Sequence, residues 1–263
     1  MGAMTRIALI TGGSRGLGRA SALALAAHDV DTVLTYNSAA GEAAAAVAEL
    51  EAAGRTAVAL QLDTTRPETF PAFAATLRSA LRERWGREQL DILMNNAGYS
   101  DDTPFGSTTR EQIDRLAAVH LTGPVLLTQE LSGLLGDGAR ILNVSTGLTR
   151  NLVNPAYAVY ASMKGAVEVW TRYLAKELGP RGIRVNVIAP GATMTDFAGG
   201  LIRDNAQYQS AIAASSPLGR AGRPEDIGAA VAAILSEELS WVTGQRIEAS
   251  GGQGMGRWQP LGG

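Results

Sequence analysis

The stretch Arg6-Ile7-Ala8-Leu9-Ile10-Thr11-Gly12-Gly13-Ser14-Arg15-Gly16-Leu17-Gly18 decides the fold. A short apolar run breaks into a glycine-rich turn, and an alanine-rich segment with helical patterning follows to about Ala27. Strand, glycine turn and helix in that order predict the opening unit of a dinucleotide-binding sheet. The glycines let the backbone turn tightly and approach a pyrophosphate, whose charge is met by free N–H groups at the helix start. A glycine turn that binds nothing looks the same locally, so the decision passes to the rest of the chain.

Working outward, residues 31–36 read as a second strand ending Thr35-Tyr36-Asn37-Ser38, with no carboxylate until Glu42. A carboxylate at that strand end would hold the adenosine ribose hydroxyls and repel a 2′-phosphate. Its absence, with Arg15 in the glycine loop to meet a phosphate, favours NADP over NAD. Arg15 as a plain solvated loop charge is the alternative. A helix over 39–53 leads to a strand over 56–62 that ends at Asp63-Thr64. Asp63 could accept from the adenine amino group or cap the next turn. Residues 67–84 are amphipathic and helical, and the strand 90–94 runs into Asn95-Asn96-Ala97-Gly98, small residues and amides suited to close approach.

Residues 109–135 pattern as one long helix with a kink expected at Gly123-Pro124. The strand 140–144 ends at Ser145-Thr146. A helix over 155–179, a strand over 183–188 and the turn Ala189-Pro190-Gly191 come next. Residues 192–216, small and polar with scattered apolar side chains, look like a lid over an apolar pocket. A helix over 225–235 and a strand over 245–248 complete the pattern. Seven strands alternating with helices, without linker or repeat, predict a single α/β domain over 4–263, a doubly wound parallel sheet of Rossmann type.

Composition narrows the chemistry. The 263 residues are 46% hydrophobic and 18% charged, the balance of a globular chain. There is no cysteine, and His28 and His120 lie far apart, so neither a disulfide nor a metal site is expected. A net charge of −2 offers nucleic acid and anionic membranes no global attraction. No apolar run approaches a membrane span and no signal-peptide pattern opens the chain, so a cytoplasmic protein is expected. Met1-Gly2-Ala3 ahead of Met4 reads as an appended leader.

Within the 155–179 helix, Tyr160 and Lys164 are four residues apart and emerge on one face. A fixed ammonium beside a phenol stabilises the phenolate, so Tyr160 is the candidate general acid and base. Two unrelated surface residues would show the same spacing; the surrounding strand ends argue against that.

Together these pieces resemble the short-chain dehydrogenase/reductase family over essentially the whole chain, most closely its carbonyl and 3-oxoacyl reductases. The matching residues are Thr11-Gly12-x-x-x-Gly16-x-Gly18, Asp63, Asn95-Asn96-Ala97-Gly98, Tyr160-x-x-x-Lys164, and Pro190-Gly191 with Thr193 and Thr195. The resemblance implies that Tyr160 exchanges a proton with the substrate oxygen while hydride passes between substrate carbon and nicotinamide. Lys164 would touch the nicotinamide ribose and lower the Tyr160 pKa. The cofactor would lie on Gly12, Ser14, Arg15, Gly16, Leu17 and Gly18, on Tyr36, Asn37 and Ser38, and on Asp63 and Thr64. Asn95, Ala97, Gly98, Pro190, Gly191, Thr193 and Thr195 would complete its site. A hydroxyl before the tyrosine helix should hold the substrate oxygen. Thr146 stands where the family carries serine, but the spacing to Tyr160 is about one residue long, so Ser145 stays in play. His120 stands where the family usually has an asparagine that anchors a relay water; it would take over that relay or sit as a core histidine.

Tyr99, Leu148, Leu152, Val153, Tyr157, Met194 and Phe197, with Leu201 and Tyr208, are expected to line the pocket, which suits a hydrophobic ketone or acyl chain. The family usually forms tetramers through the 109–135 and 155–179 helices, and Val167, Trp170, Thr171, Tyr173 and Leu174 are expected to supply an apolar seam. The favoured activity is reversible, NADPH-dependent carbonyl reduction. A dehydratase or epimerase on the same scaffold, or a non-catalytic nucleotide-binding protein, motivated by His120 and Thr146, are the rivals. Ketone-dependent NADPH consumption separates the first from both.

Overall fold

A computed structural model of the chain describes residues 5–255; residues 1–3, expected to be an appended leader, Met4, the first residue of the expected domain, and residues 256–263 lie outside the described residues. The strands are β1 Arg6–Ile10, β2 Val30–Tyr36, β3 Ala57–Gln61, β4 Leu90–Asn95, β5 Leu135–Val144, β6 Arg184–Pro190 and β7 Arg246–Ala249. They form one seven-stranded sheet in the order β3-β2-β1-β4-β5-β6-β7, parallel throughout. Strand order reverses between β1 and β4, which opens a crevice at their carboxyl ends.

Both faces of the sheet are covered, which is why its central strands are apolar on both sides. On one face α1 (Gly16–Ala26), α2 (Ala40–Ala52) and α8 (Pro224–Ile234) pack Leu25, Leu50 and Val231 against Ile10, Leu34 and Ile92. On the other, α3 (Phe70–Trp85), α5 (Gly123–Glu130) and α6 (Ala158–Leu178) close over Ile7, Leu9, Leu93, Ile141 and Val185 through Phe70, Leu77, Leu127 and Ala175. Alternate residues of β1 thus serve opposite cores, as a period of two requires.

Two expectations change in the long helical region. The break in 109–135 is not a kink at Gly123-Pro124: α4 (Arg110–Ala117) passes into a π turn over Ala118–Thr122, and α5 starts at Gly123. Pro124 lies in the first turn of α5, where a proline costs no hydrogen bond. The extra residue of the π turn sits ahead of it and carries His120 inward. The sequence 131–135 belongs to a short 3-10 turn and the start of β5, not to the helix. The expected seam on α6 also changes: Val167 and Thr171 are buried in the protein's own core, Trp170 and Leu174 are half-buried, and only Tyr173 is well exposed. Among the described residues no helix is long and apolar enough to cross a membrane, and no cluster of three or more His, Cys, Asp or Glu side chains could hold a metal ion.

Candidate active site

The glycine turn between β1 and α1 is shaped by contact with β4. Gly12 has φ +64°, and a Cβ there would meet the Ala97 Cα at 3.0 Å. At Gly18 a Cβ would lie 2.4 Å from the Gly12 carbonyl oxygen. Asn96 fastens the turn: its Nδ2 donates to the carbonyls of Thr11 (2.9 Å) and Gly12 (3.1 Å). The Thr11 hydroxyl oxygen accepts in return from the backbone N–H groups of Asn96 and Ala97. No side chain caps the start of α1, which leaves its amino-terminal N–H groups available to an anion. A loop held open for a close-approaching phosphate, ahead of an uncapped helix, fits a dinucleotide.

The expected cofactor set includes Asn95 but neither Thr11 nor Asn96. The Asn95 side chain turns the other way, where its Nδ2 donates to Thr128 Oγ1 (3.0 Å) and Asn143 Oδ1 (2.8 Å) in the buried core. Neighbouring residues of a strand point to opposite faces, so one of the two amides had to be lost to the crevice. The other expected residues lie around it. Ser14 is buried and Arg15 exposed, the latter 3.8 Å from Glu42. Tyr36, Asn37 and Ser38 close β2. Asp63 Oδ1 accepts from the backbone N–H and hydroxyl of Thr65, so one of its two carboxylate oxygens caps that turn. Gly191 and Thr193 continue from β6, and the Thr195 side chain lies across the loop, 3.8 Å from where a Gly16 Cβ would be. There the Thr195 hydroxyl accepts from Phe197 N.

Beyond the crevice, α6 presents Tyr160 and Lys164 to the end of β5. Both are buried, with relative exposures of 5% and 4%. The Lys164 ammonium donates to the Val144 carbonyl at 2.7 Å and lies 6.0 Å from the centre of the Tyr160 ring. Burial pushes Lys164 down to about 7. The expected lowering of Tyr160 is reversed: burial pushes its phenol well above the ordinary tyrosine value, and a bond with Thr146 only partly opposes that. A phenolate in an apolar site is costly unless a cation faces it, and the ammonium is directed at a carbonyl.

The two candidate hydroxyls at the end of β5 have different surroundings. Thr146 is the side chain whose hydrogen bonding opposes the rise in the Tyr160 pKa, and its Oγ1 accepts from Leu148 N at 3.3 Å. Ser145 Oγ points away, donating to Glu168 Oε1 at 2.6 Å. His120 is buried, with its Nε2 2.7 Å from the Tyr99 carbonyl oxygen and its ring 5.0 Å from that of Tyr160 in an edge-on arrangement. Donation by Nε2 leaves Nδ1 as a buried acceptor without a partner. Burial, then the Lys164 charge, hold its pKa well below the usual histidine value, so the imidazole is neutral.

Tyr157 and Phe197 complete an aromatic collar, their centroids 6.4 and 5.8 Å from that of Tyr160. Leu148 and Met194 are half-buried nearby in sequence, whereas Leu152 and Val153 stand exposed at 93% and 78% on the loop before α6. Tyr99 packs beside His120, ring centroids 5.8 Å apart, half-buried and with its hydroxyl unpartnered. Leu201 and Tyr208 belong to the lid, which is partly ordered as a short turn at Phe197–Gly200 and as α7 (Ala206–Ser215).

Residues 12–253 match the family described as Enoyl-(Acyl carrier protein) reductase. A protein of Methylorubrum extorquens named an uncharacterized oxidoreductase is 38% identical over 247 residues, which cover 94% of this chain and 97% of that one. Of the solved structures, the promiscuous reductase LugOII, which catalyses keto-reduction at C1 during lugdunomycin biosynthesis, has a TM-score of 0.88 and 38% identity over 94% of this chain and 97% of its own. The angucycline C-6 ketoreductase LanV, solved with bound NADP, has a TM-score of 0.89 and 35% identity over 95% and 96%. The sheet order, the glycine turn and the Tyr160–Lys164 pair therefore sit in a chain that belongs to the short-chain dehydrogenase/reductase family of oxidoreductases.

Proposed function

We propose that the protein reduces a hydrophobic ketone to an alcohol with NADPH, and runs the reverse oxidation when alcohol and NADP are supplied. The observation that carries this reading is the burial of Tyr160, Lys164 and Thr146 together, with the Lys164 ammonium 6.0 Å from the centre of the Tyr160 ring, at the carboxyl edge of the sheet. Two similar solved structures are named for keto-reduction, and one of them holds NADP.

The dinucleotide would be held by the turn from Gly12 to Gly18, by the 2′-phosphate side at Arg15 and Tyr36 to Ser38, by Asp63 and Thr64 at the base, and by Ala97, Gly98 and the Pro190 to Thr195 run at the nicotinamide end. When bound it supplies the hydride for the carbonyl carbon. Thr146 holds the carbonyl oxygen by its hydroxyl, and Tyr160 donates the phenolic proton to that oxygen as it gains charge. A phenol kept protonated by burial is available as this donor. The charge left on Tyr160 then calls for the Lys164 ammonium four residues on. His120, neutral and fixed, fences the phenol from behind.

The collar of Tyr157 and Phe197 beside Tyr160 favours an apolar substrate over a charged one. For assembly we propose a homotetramer through α4, α5 and α6, with Tyr173 and the exposed Val169 in the contact; light scattering that found a monomer at micromolar concentration would rule it out. The functional reading is tested by following NADPH absorbance with a panel of hydrophobic ketones. Turnover that disappears in Tyr160→Phe is expected. NADPH binding without consumption of any ketone would instead support the nucleotide-binding alternative.

A further inference from the structure

We infer that Glu168 and Arg246 are positioning residues, a buried ionic brace that fixes the Thr146 hydroxyl against Tyr160; this rests on the reductase reading of the site.

Tyr160, Lys164 and Glu168 follow one another at four-residue steps along α6 and so share a face. Each meets the end of β5. Lys164 donates to the carbonyl of Val144 at 2.7 Å. Glu168 Oε1 accepts from Ser145 Oγ at 2.6 Å and from Thr149 Oγ1 at 2.9 Å. Arg246, at the start of the last strand, completes the set. Its Nε donates to the same Glu168 oxygen at 2.7 Å, and its Nη2 donates to the Thr146 carbonyl at 3.3 Å and to Thr149 Oγ1 at 3.1 Å. Three consecutive residues, 144 to 146, are thus clamped at a carbonyl, a side chain and a carbonyl in turn.

The Arg246 and Glu168 side chains are only 8% and 17% exposed. Charges held that far out of water cost desolvation free energy, and a pair of apolar side chains would fill the space as well. What the ion pair adds is direction. A guanidinium is a rigid planar fork, so contact with Glu168 through Nε fixes where Nη2 points, and it points at the Thr146 carbonyl. Nη1 is occupied by Glu248 at 2.7 Å, which stops the fork from rotating. Thr146 is the last residue before the chain turns over Gly147–Thr149, where backbone freedom would otherwise let its hydroxyl swing from the phenol. Ser145, whose hydroxyl is spent on Glu168, is the anchor of that arrangement.

Arg246→Lys tests this. Lysine keeps a cation beside Glu168 but loses the second arm that reaches Thr146. Ketone reduction is expected to fall on the order of tenfold to a hundredfold in kcat, because displacement of a reacting group by about 1 Å has that scale. NADPH affinity and melting temperature are expected to stay near wild type. In a Thr146→Ala background the same substitution should cost almost nothing further; additive losses would overturn the brace. Should Arg246→Lys fold poorly, Glu168→Gln, which keeps shape and removes the charge, carries the same cycle. If the wild-type protein reduces no ketone, the reductase reading fails separately. Crystal structures of wild type and Arg246→Lys then judge the brace alone: a Thr146 hydroxyl unmoved relative to Tyr160 would overturn it, and a displaced one supports it.

Discussion

The ring of His120 stands edge-on to the ring of Tyr160, 5.0 Å between centroids and 82° between planes, with its Nε2 tied to the Tyr99 carbonyl. Its position behind the phenol, and the unpartnered Nδ1, make it the candidate for a proton-relay station. His120→Ala is expected to slow ketone reduction on the order of tenfold or more and to move the pH profile. An unchanged rate and profile would remove the relay role and leave a core histidine.

The same residue gives a stability signature. Its folded pKa lies well below the ordinary 6.5, so the unfolded chain binds a proton that the folded protein refuses. Stability from this site is therefore complete above about 6.5 and is lost as pH falls, by about 1.4 kcal/mol per unit until the folded pKa is reached. Urea unfolding of wild type and His120→Phe should show the wild type weakening more on the acid side. Parallel curves would mean that His120 titrates normally.

At the end of β5, Thr146→Ala is expected to lower kcat on the order of a hundredfold, as loss of a donor to a developing oxyanion does. Ser145→Ala should instead act through the Glu168 brace and cost less. Steady-state rates of the two variants decide; the reverse order would transfer the oxygen-holding role to Ser145.

That choice marks where the sequence stops being legible. The Arg6–Gly18 run, seven apolar strands and the four-residue step from Tyr160 to Lys164 are local patterns, and the parallel sheet and the proposed catalytic pair could be read from them. Which of two adjacent residues faces the crevice is a matter of where a strand loses its alternation. It separates Asn96 from Asn95 and Thr146 from Ser145, and residue type does not encode it. Arg246 meets Glu168 from 78 positions away, a pairing made by sheet order alone. The inward turn of His120 depends on a π turn whose composition, Ala-Val-His-Leu-Thr, is ordinary for an α-helix. The expected lowering of the Tyr160 pKa came from spacing; burial, which the spacing does not report, has the larger effect.

Cofactor choice can be tested at the surface. Arg15 is 60% exposed and 3.8 Å from Glu42, so its removal should barely affect stability. Arg15→Gln is expected to raise the KM for NADPH about tenfold, the scale of one charge-assisted phosphate contact, and to leave that for NADH nearly constant. An unchanged ratio of the two constants would place the discrimination at Tyr36 to Ser38.

Lys164 gives the last prediction, with the sign opposite to that of an exposed lysine gaining a partner. Burial lowers it from 10.5 to about 7, so between those values the unfolded chain holds a proton that the folded protein has released. Stability must then rise with pH across that window, and below about 7 the full cost of a buried ammonium is borne. Replacement by methionine removes the titration and keeps the volume. Lys164→Met should be more stable than wild type by a few kcal/mol on the acid side of 7, and the gap should close as pH climbs toward 10.5. Catalysis runs the other way, since the charge left on Tyr160 needs the ammonium: wild-type reduction should decline above about 7, and the variant should be nearly inactive at every pH. Chemical denaturation on both sides of neutrality, beside the rate profile, checks both halves. A stability gap that did not change with pH would mean that Lys164 stays charged throughout, held by contacts stronger than the single bond to Val144.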